Sequence, residues 1–165
     1  EGEDIVLIGE TVGHLGRSLM LRRYGIGDAG APPRVNLSME RRNGDFVREY
    51  TETAAVTACH DLSDGGLLVA VAEMALAGNM GADLLSVPDN IPPLAWWFGE
   101  DQSRYLVTLD DGKDLITAAK ARDVPALLIG RTGGLTLTLA DGDFIPLSKL
   151  QNAHENWFPE YMAAS

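Results

Sequence analysis

Leu135, Leu137 and Leu139 alternate with Thr136 and Thr138, the two-residue period of a strand with one buried face. Strand signals also occur at Ile5 to Gly9, Ala54 to Cys59, Ala82 to Val87, Arg104 to Leu109 and Ala126 to Gly130. Helical spacing occupies Gly16 to Tyr24, Leu37 to about Thr51, Asp64 to Ala77, Lys113 to Arg122 and Lys149 to Phe158. The last of these opens on a Ser148-x-x-Gln151 capping box, sets Leu150, Ala153 and Trp157 on one face, and is expected to stop near Pro159. The turn Thr132-Gly133-Gly134 predicts a hairpin between the last two strands. The helix from Asp64 carries Leu67, Leu68, Val69, Val71, Met74 and Leu76, apolar on nearly every side, which predicts burial between layers. Strands and helices interleave without repeats or low-complexity tracts. The expected fold is one α/β (α+β) layered domain over residues 1–165, its mixed sheet packed with helices.

Length and composition agree with that picture. A chain of 165 residues buries roughly two-thirds of its unfolded surface, and 45% apolar with 22% charged residues is a globular composition. A net charge of −11 argues against nucleic acid and anionic membranes as partners. Within residues 17–48, however, seven arginines face three acids, a local excess that reads as a solvated helix face or as a cationic surface for a phosphorylated molecule or an acidic protein. The single Cys59 has no internal disulfide partner, and the opening Glu-Gly-Glu-Asp lacks the features of a secretory signal. The most apolar run, Gly65 to Gly78, is shorter than the roughly 20 residues a bilayer needs. A cytoplasmic protein is expected, and the missing initial Met suggests a piece of a longer chain.

Most chemical signatures are weak. Gly25-Ile26-Gly27-Asp28-Ala29-Gly30 is a literal G-x-G-x-x-G, but helical residues precede it and prolines follow, so a flexible loop is expected instead of a dinucleotide cradle. His14, His60 and His154 are scattered, neither H-E-x-x-H nor C-x-x-C occurs, and no nucleophile triad stands out.

Two segments are informative. In the first, a strand runs through His60-Asp61-Leu62-Ser63-Asp64 into Gly65-Gly66 and a buried helix. The paired glycines allow a ligand close to the helix N-terminal amides, or else Asp61, Ser63 or Asp64 caps the helix itself. In the second, Glu100, Asp101, Gln102 and Arg104 group two acids, an amide and a guanidinium at a strand start. They suit a polyhydroxylated or amide-bearing substrate, or Mg²⁺ through one carboxylate, while an Arg104 to Glu100 surface ion pair explains them more simply. This cluster is expected to face a neighbouring domain and not the core.

Several motifs in order carry a family resemblance: Leu7-Ile8-Gly9-Glu10-Thr11, Pro32-Pro33-x-Val35-x-Leu37, Arg42-Asn43-Gly44-Asp45-Phe46-Val47-Arg48, His60 to Leu67, Phe98 to Tyr105, and Ile129-Gly130-Arg131-Thr132-Gly133-Gly134. Together they resemble the synthetase subunit of the phosphoribosylformylglycinamidine synthase family over almost the whole chain. The resemblance implies a fold of the aminoimidazole ribonucleotide synthetase C-terminal type and the last of four domains. It implies a ligase that uses ATP and Mg²⁺ to activate the amide oxygen of formylglycinamide ribonucleotide for displacement by glutamine-derived ammonia in purine biosynthesis. Preceding nucleotide-binding domains, a glutaminase subunit and a small adaptor subunit are the implied partners. No catalytic or metal residue is expected in this domain, and no cofactor in the domain alone. Candidate ligand contacts are Asp61, Ser63, Asp64, Gly65, Gly66, Glu100, Asp101, Gln102 and Arg104. Glu100-Asp101-Gln102 matches a Glu-Ser-Gln stretch that contacts substrate in the family's first half, with Asp101 in place of the hydroxyl. That difference suits the pseudo-symmetric half, which holds a structural nucleotide. The competing reading is a noncatalytic scaffolding or nucleotide-binding module of a related ATP-using enzyme.

Overall fold

The run Asp4–Ile8 is buried at every position, as a central strand covered on both faces must be. This strand, β1, is followed by α1 (Leu19–Arg23), α2 (Leu37–Glu52), β2 (Ala58–Asp61), α3 (Gly66–Gly78), β3 (Ala82–Leu84) and α4 (Pro93–Phe98). The second half contributes β4 (Tyr105–Leu109), α5 (Gly112–Lys120), β5 (Ala126–Thr132), β6 (Thr136–Thr138), β7 (Phe144–Pro146) and α6 (Leu147–Ala163). The computed structural model describes residues 1–27 and 29–163.

Among these residues seven strands form one sheet in the order β2-β4-β1-β5-β3-β6-β7. Neighbours are antiparallel except β3 and β6, which run parallel. Strand alternation divides the apolar residues between two cores. Ile5, Leu7 and Leu106 join Leu67, Val71, Trp96 and Trp97 of α3 and α4 on one face. Val6, Ile8, Val107 and Leu109 meet Phe46, Val47, Leu115 and Ala119 of α2 and α5 on the other. The result is the expected α/β layered domain with a mixed sheet.

The expected hairpin does not form. Strand β3 lies between β5 and β6, with Ala82 opposite both Thr132 and Leu137. The Gly133-Gly134 turn instead wraps around Gly81, which donates to the Gly134 carbonyl and accepts from Gly133 N–H, both within 2.9 Å. A side chain at Gly81 would run into the Thr136 backbone, so this crossing depends on a glycine. Alternating Leu and Thr mark β6 as a strand but do not name its neighbour.

Helix α3 also departs from expectation. Leu67, Ala70, Val71 and Ala75 are buried, whereas Leu68, Val69, Ala72 and Leu76 line an open groove of about 700 Å³ shared with β6, β7 and α6. Helix α6 begins at Leu147, so Ser148 lies inside it, and it continues past Pro159 to Ala163. A proline removes one helical hydrogen bond, but the apolar face marked by Leu150 and Trp157 runs on to Tyr161. Strand β2 starts later than expected because Ala54 leaves α2 with a positive φ of 56°, and α1 starts later because Arg17 has a φ of 60° and Ser18 caps the helix. Helix α4 and strand β7 were not apparent from the pattern. The Gly25 to Gly30 segment follows a helix, as a loop and not a cradle should. Its Asp28 lies outside the described residues.

Candidate functional site

Strand β2 ends at Asp61, and the chain turns through Ser63 and Asp64 into the N-terminus of α3. The side chains of Asp61, Ser63 and Asp64 are exposed, and no side chain of the turn caps the helix. The cap comes from elsewhere: the Gly65 N–H donates to Glu100 Oε1 at 2.8 Å. The same oxygen accepts the Leu19 N–H, the first residue of α1, at 2.7 Å. One carboxylate thus satisfies amides at two helix starts, where the backbone dipoles favour negative charge. The paired glycines do admit a close neighbour, and that neighbour belongs to this chain. Gly66 has a φ of +74°, and a Cβ there would sit 2.5 Å from the Gly99 carbonyl oxygen. The Gly65 amide is therefore taken by a carboxylate of this chain, and self-capping by Asp61, Ser63 or Asp64 does not occur.

The adjacent carboxylate acts in the same way. Asp101 is 6% exposed. Its Oδ2 accepts from Gly13 N–H at 2.9 Å and Val12 N–H at 3.3 Å, and its Oδ1 from His14 N–H at 3.1 Å. Three consecutive amides converging on one anion form a backbone nest. Arg104 closes the cluster: Nε donates to the Asp101 carbonyl at 3.1 Å, Nη1 to Thr11 Oγ1 at 3.1 Å and Nη2 to the Gly99 carbonyl at 2.6 Å.

These contacts overturn the expectation that the cluster faces outward. Arg104 is 1% exposed and among the largest fully buried side chains. Burial pushes its pKa down, opposed by the charges of Asp101 and Glu100. The expected ion pair to Glu100 is replaced by one to Asp101, at 3.9 Å. Arginine is tolerated here because its fork of donors meets carbonyl oxygens that would otherwise be unsatisfied. Glu100 is half-buried, and only Gln102 of the four remains exposed.

Sequence reasoning missed the partners of this staple. Ser103 is buried with a φ of +62°, a strained conformation for a residue with a side chain. Its Oγ donates to Glu40 Oε2 at 2.7 Å, and its carbonyl accepts from Asn43 Nδ2 at 2.9 Å. Tyr105 donates to the other Glu40 oxygen at 2.9 Å. Burial and that carboxylate push the Tyr105 phenol up to about 12. Glycine spacing was the available signal: a Cβ at Gly9 would lie 2.5 Å from the Ser103 carbonyl oxygen, so residues 9–14 must cross this segment closely.

The staple leaves a pocket of about 360 Å³ beside it, bordered by Glu10, His14, Arg34, Asn36 and Gln102. Val12, Pro32, Pro33 and Met39 also line it, and the buried Asp101 forms part of its wall. No group of three or more His, Cys, Asp and Glu residues able to hold a metal ion occurs among the described residues.

Comparison with known proteins matches residues 1–138 to the family described as AIR synthase related protein, C-terminal domain. The chain is 54% identical over 162 residues to the phosphoribosylformylglycinamidine synthase subunit PurL of Acidiphilium cryptum, covering 98% of this chain and 22% of that protein. It is 53% identical over 163 residues to the PurL subunit of Rhodopseudomonas palustris, again covering 98% of this chain and 22% of that protein. The chain thus spans about a fifth of the length of these relatives. Among solved structures it is similar to T. maritima PurL complexed with FGAR, with a TM-score of 0.73 and 18% identity over 90% of this chain and 28% of that one. The hydrogenase maturation protein HypE of E. coli gives a TM-score of 0.58 at 17% identity, over 89% of this chain and 49% of HypE. At such identities these two structures speak for the fold alone.

Proposed function

The chain belongs to the family of AIR synthase-related C-terminal domains, and from that premise we propose that it is one domain of a phosphoribosylformylglycinamidine synthase. The enzyme of this reading is a ligase that converts formylglycinamide ribonucleotide, ATP and glutamine-derived ammonia to formylglycinamidine ribonucleotide. The observation that carries the proposal is the 54% identity to such a synthase subunit across 98% of the chain.

Within that enzyme the domain supplies position, not chemistry. Glu100, Asp101 and Arg104 are consumed by backbone amides and carbonyls, which leaves them as a rigid wall. Gln102 and the exposed turn of Asp61, Ser63 and Asp64 are the groups left to meet a ligand or a neighbouring domain. ATP and Mg²⁺ act at the full enzyme, and Mg²⁺ is held by carboxylates of other domains. ATP supplies the phosphoryl group that activates the amide oxygen. The preceding nucleotide-binding domains, a glutaminase subunit and a small adaptor subunit are the proposed partners. In support of an assembly, the chain is also similar to T. maritima PurL in a structure described as PurLQS. No helix among the described residues is long and apolar enough to cross a membrane; the cytoplasm is proposed from the synthase reading alone.

One observation favours the non-reacting half of such a synthase. The Asp101 carboxylate fills the nest of residues 12–14 with the protein's own anion, at the position where the family resemblance implies a hydroxyl in the first-half domain.

The test is to express the complete reading frame that contains this chain and follow product formation from formylglycinamide ribonucleotide, ATP and ammonia. Turnover, together with rescue of a purine auxotroph lacking the synthase, is expected. A soluble full-length protein with neither would overturn the reading, as would turnover by residues 1–165 alone.

A further inference from the structure

Helix α6 buries Leu147, lines the groove against α3 with Leu150, Ala153 and His154, and then continues beyond it. Residues 150, 153, 154, 157 and 161 recur at helical spacing, so the face that packs on the domain runs on as an aromatic stripe. Trp157 is 65% exposed and stacks on Tyr161 with ring centroids 5.6 Å apart. Phe158 is 60% exposed, and Phe144, which lines the groove, is 67% exposed. Three aromatic residues at that exposure present roughly 400 Å² of apolar surface, in the range of the largest patches that monomers leave open.

We propose that this groove and stripe form a permanent interface with another segment of the same synthase polypeptide: an apolar segment flanked by Lys or Arg. The inference rests on the ligase reading above. Two observations select this occupant, the length of the related subunits and the charge at the rim of the groove. Identity to the synthase subunits covers 98% of the chain, so nearly all of α6 is shared with them. Those subunits are also several times longer than this chain, so a tethered partner is present at high effective concentration. The aromatic, charge-depleted centre has the composition of an interface core. Glu73 and Asp143 line the groove and place negative charge at its rim, which asks for basic flanks on the occupant.

The experiment introduces the photo-reactive Phe144→p-benzoylphenylalanine or Trp157→p-benzoylphenylalanine into the full-length polypeptide, with Lys113→p-benzoylphenylalanine on exposed α5 as control. Irradiation should give a product of monomer mass from both groove sites, whose mapped peptides lie outside residues 1–165, next to Lys or Arg. The control should not reach the same peptides. Dimer-mass products from two copies, products with a separate subunit, or groove sites that label no peptide beyond this chain would each overturn the proposal. The double substitution Trp157→Ser and Phe158→Ser adds a second readout: in the full-length protein it should raise binding of a hydrophobic dye and speed proteolytic release of this domain. Unchanged dye binding and proteolysis would contradict a permanent contact. An inactive polypeptide that still cross-links within itself would overturn the ligase reading alone, and an active one that does not would overturn this inference alone.

Discussion

Glu100 caps α3 through the Gly65 amide, although the two residues are 35 positions apart. The same Oε1 holds the first amide of α1. Truncation to alanine leaves the part-buried Gly65 amide without a partner and the exposed Leu19 amide to water, at a cost of about 1–2 kcal/mol. An exposed side chain would cost about 0.5 kcal/mol. Glu100→Gln keeps an acceptor oxygen in the same place and should lose less than Glu100→Ala. Urea unfolding of both variants distinguishes the cap from a solvated side chain, for which the two would be equally mild.

Gly66 is constrained both by its φ of +74° and by the Gly99 carbonyl oxygen 2.5 Å from a Cβ. A left-handed residue with a side chain costs about 1–2 kcal/mol before any clash. Gly66→Ala should therefore lose at least about 2 kcal/mol, and Gly66→Val more. Gly78, at the other end of α3, meets nothing within 4 Å. Gly78→Ala is expected to be neutral or to gain up to about 1 kcal/mol. Thermal melts of the pair separate a close approach from a general effect of helix glycines.

The core of this fold was legible because β1 is a run of apolar residues bounded by polar ones, and the sheet covers it on both faces. The glycine pair before α3 was equally legible as a place of close approach. What approaches it was not. Gly99 and Glu100 reach Gly66 and Gly65 only after α3, β3 and α4 have folded between them. The place of β3 between β5 and β6 was hidden for a similar reason, since alternation reports a strand's buried face and not its neighbour. Arg104 misled because arginine is seldom buried, and what makes its burial tolerable is a set of partners visible only in three dimensions: the carbonyls of Gly99 and Asp101, the Thr11 hydroxyl and the Asp101 carboxylate.

Arg104→Met should be among the most damaging substitutions in the domain. It removes donors from the Gly99 and Asp101 carbonyls and from Thr11, and it leaves the buried Asp101 carboxylate without its nearest cation. Breaking a buried pair from one side costs about 3–5 kcal/mol. Arg104→Lys should rescue little, because a single ammonium lacks the fork that spans these acceptors. Urea unfolding measures both, and a Lys variant as stable as the parent would show that charge alone suffices.

Tyr105 predicts the alkaline limb of stability. Its phenol is pushed up to about 12 by burial and by the hydrogen bond to Glu40, against about 10 in the unfolded chain. Between those values the unfolded chain has released the proton and the folded one retains it, so folding binds more protons and stability falls as pH rises. The contribution is complete below pH about 10 and is lost through pH about 12. Tyr105→Phe has no proton to lose and should flatten that decline. At neutral pH it should cost about 1 kcal/mol for the missing hydrogen bond, since Tyr105 is only half-buried. Urea unfolding across the alkaline range, beside an ultraviolet titration of the tyrosines, checks both. Parallel declines for the parent and the Phe variant would exclude Tyr105 as the source of the alkaline loss.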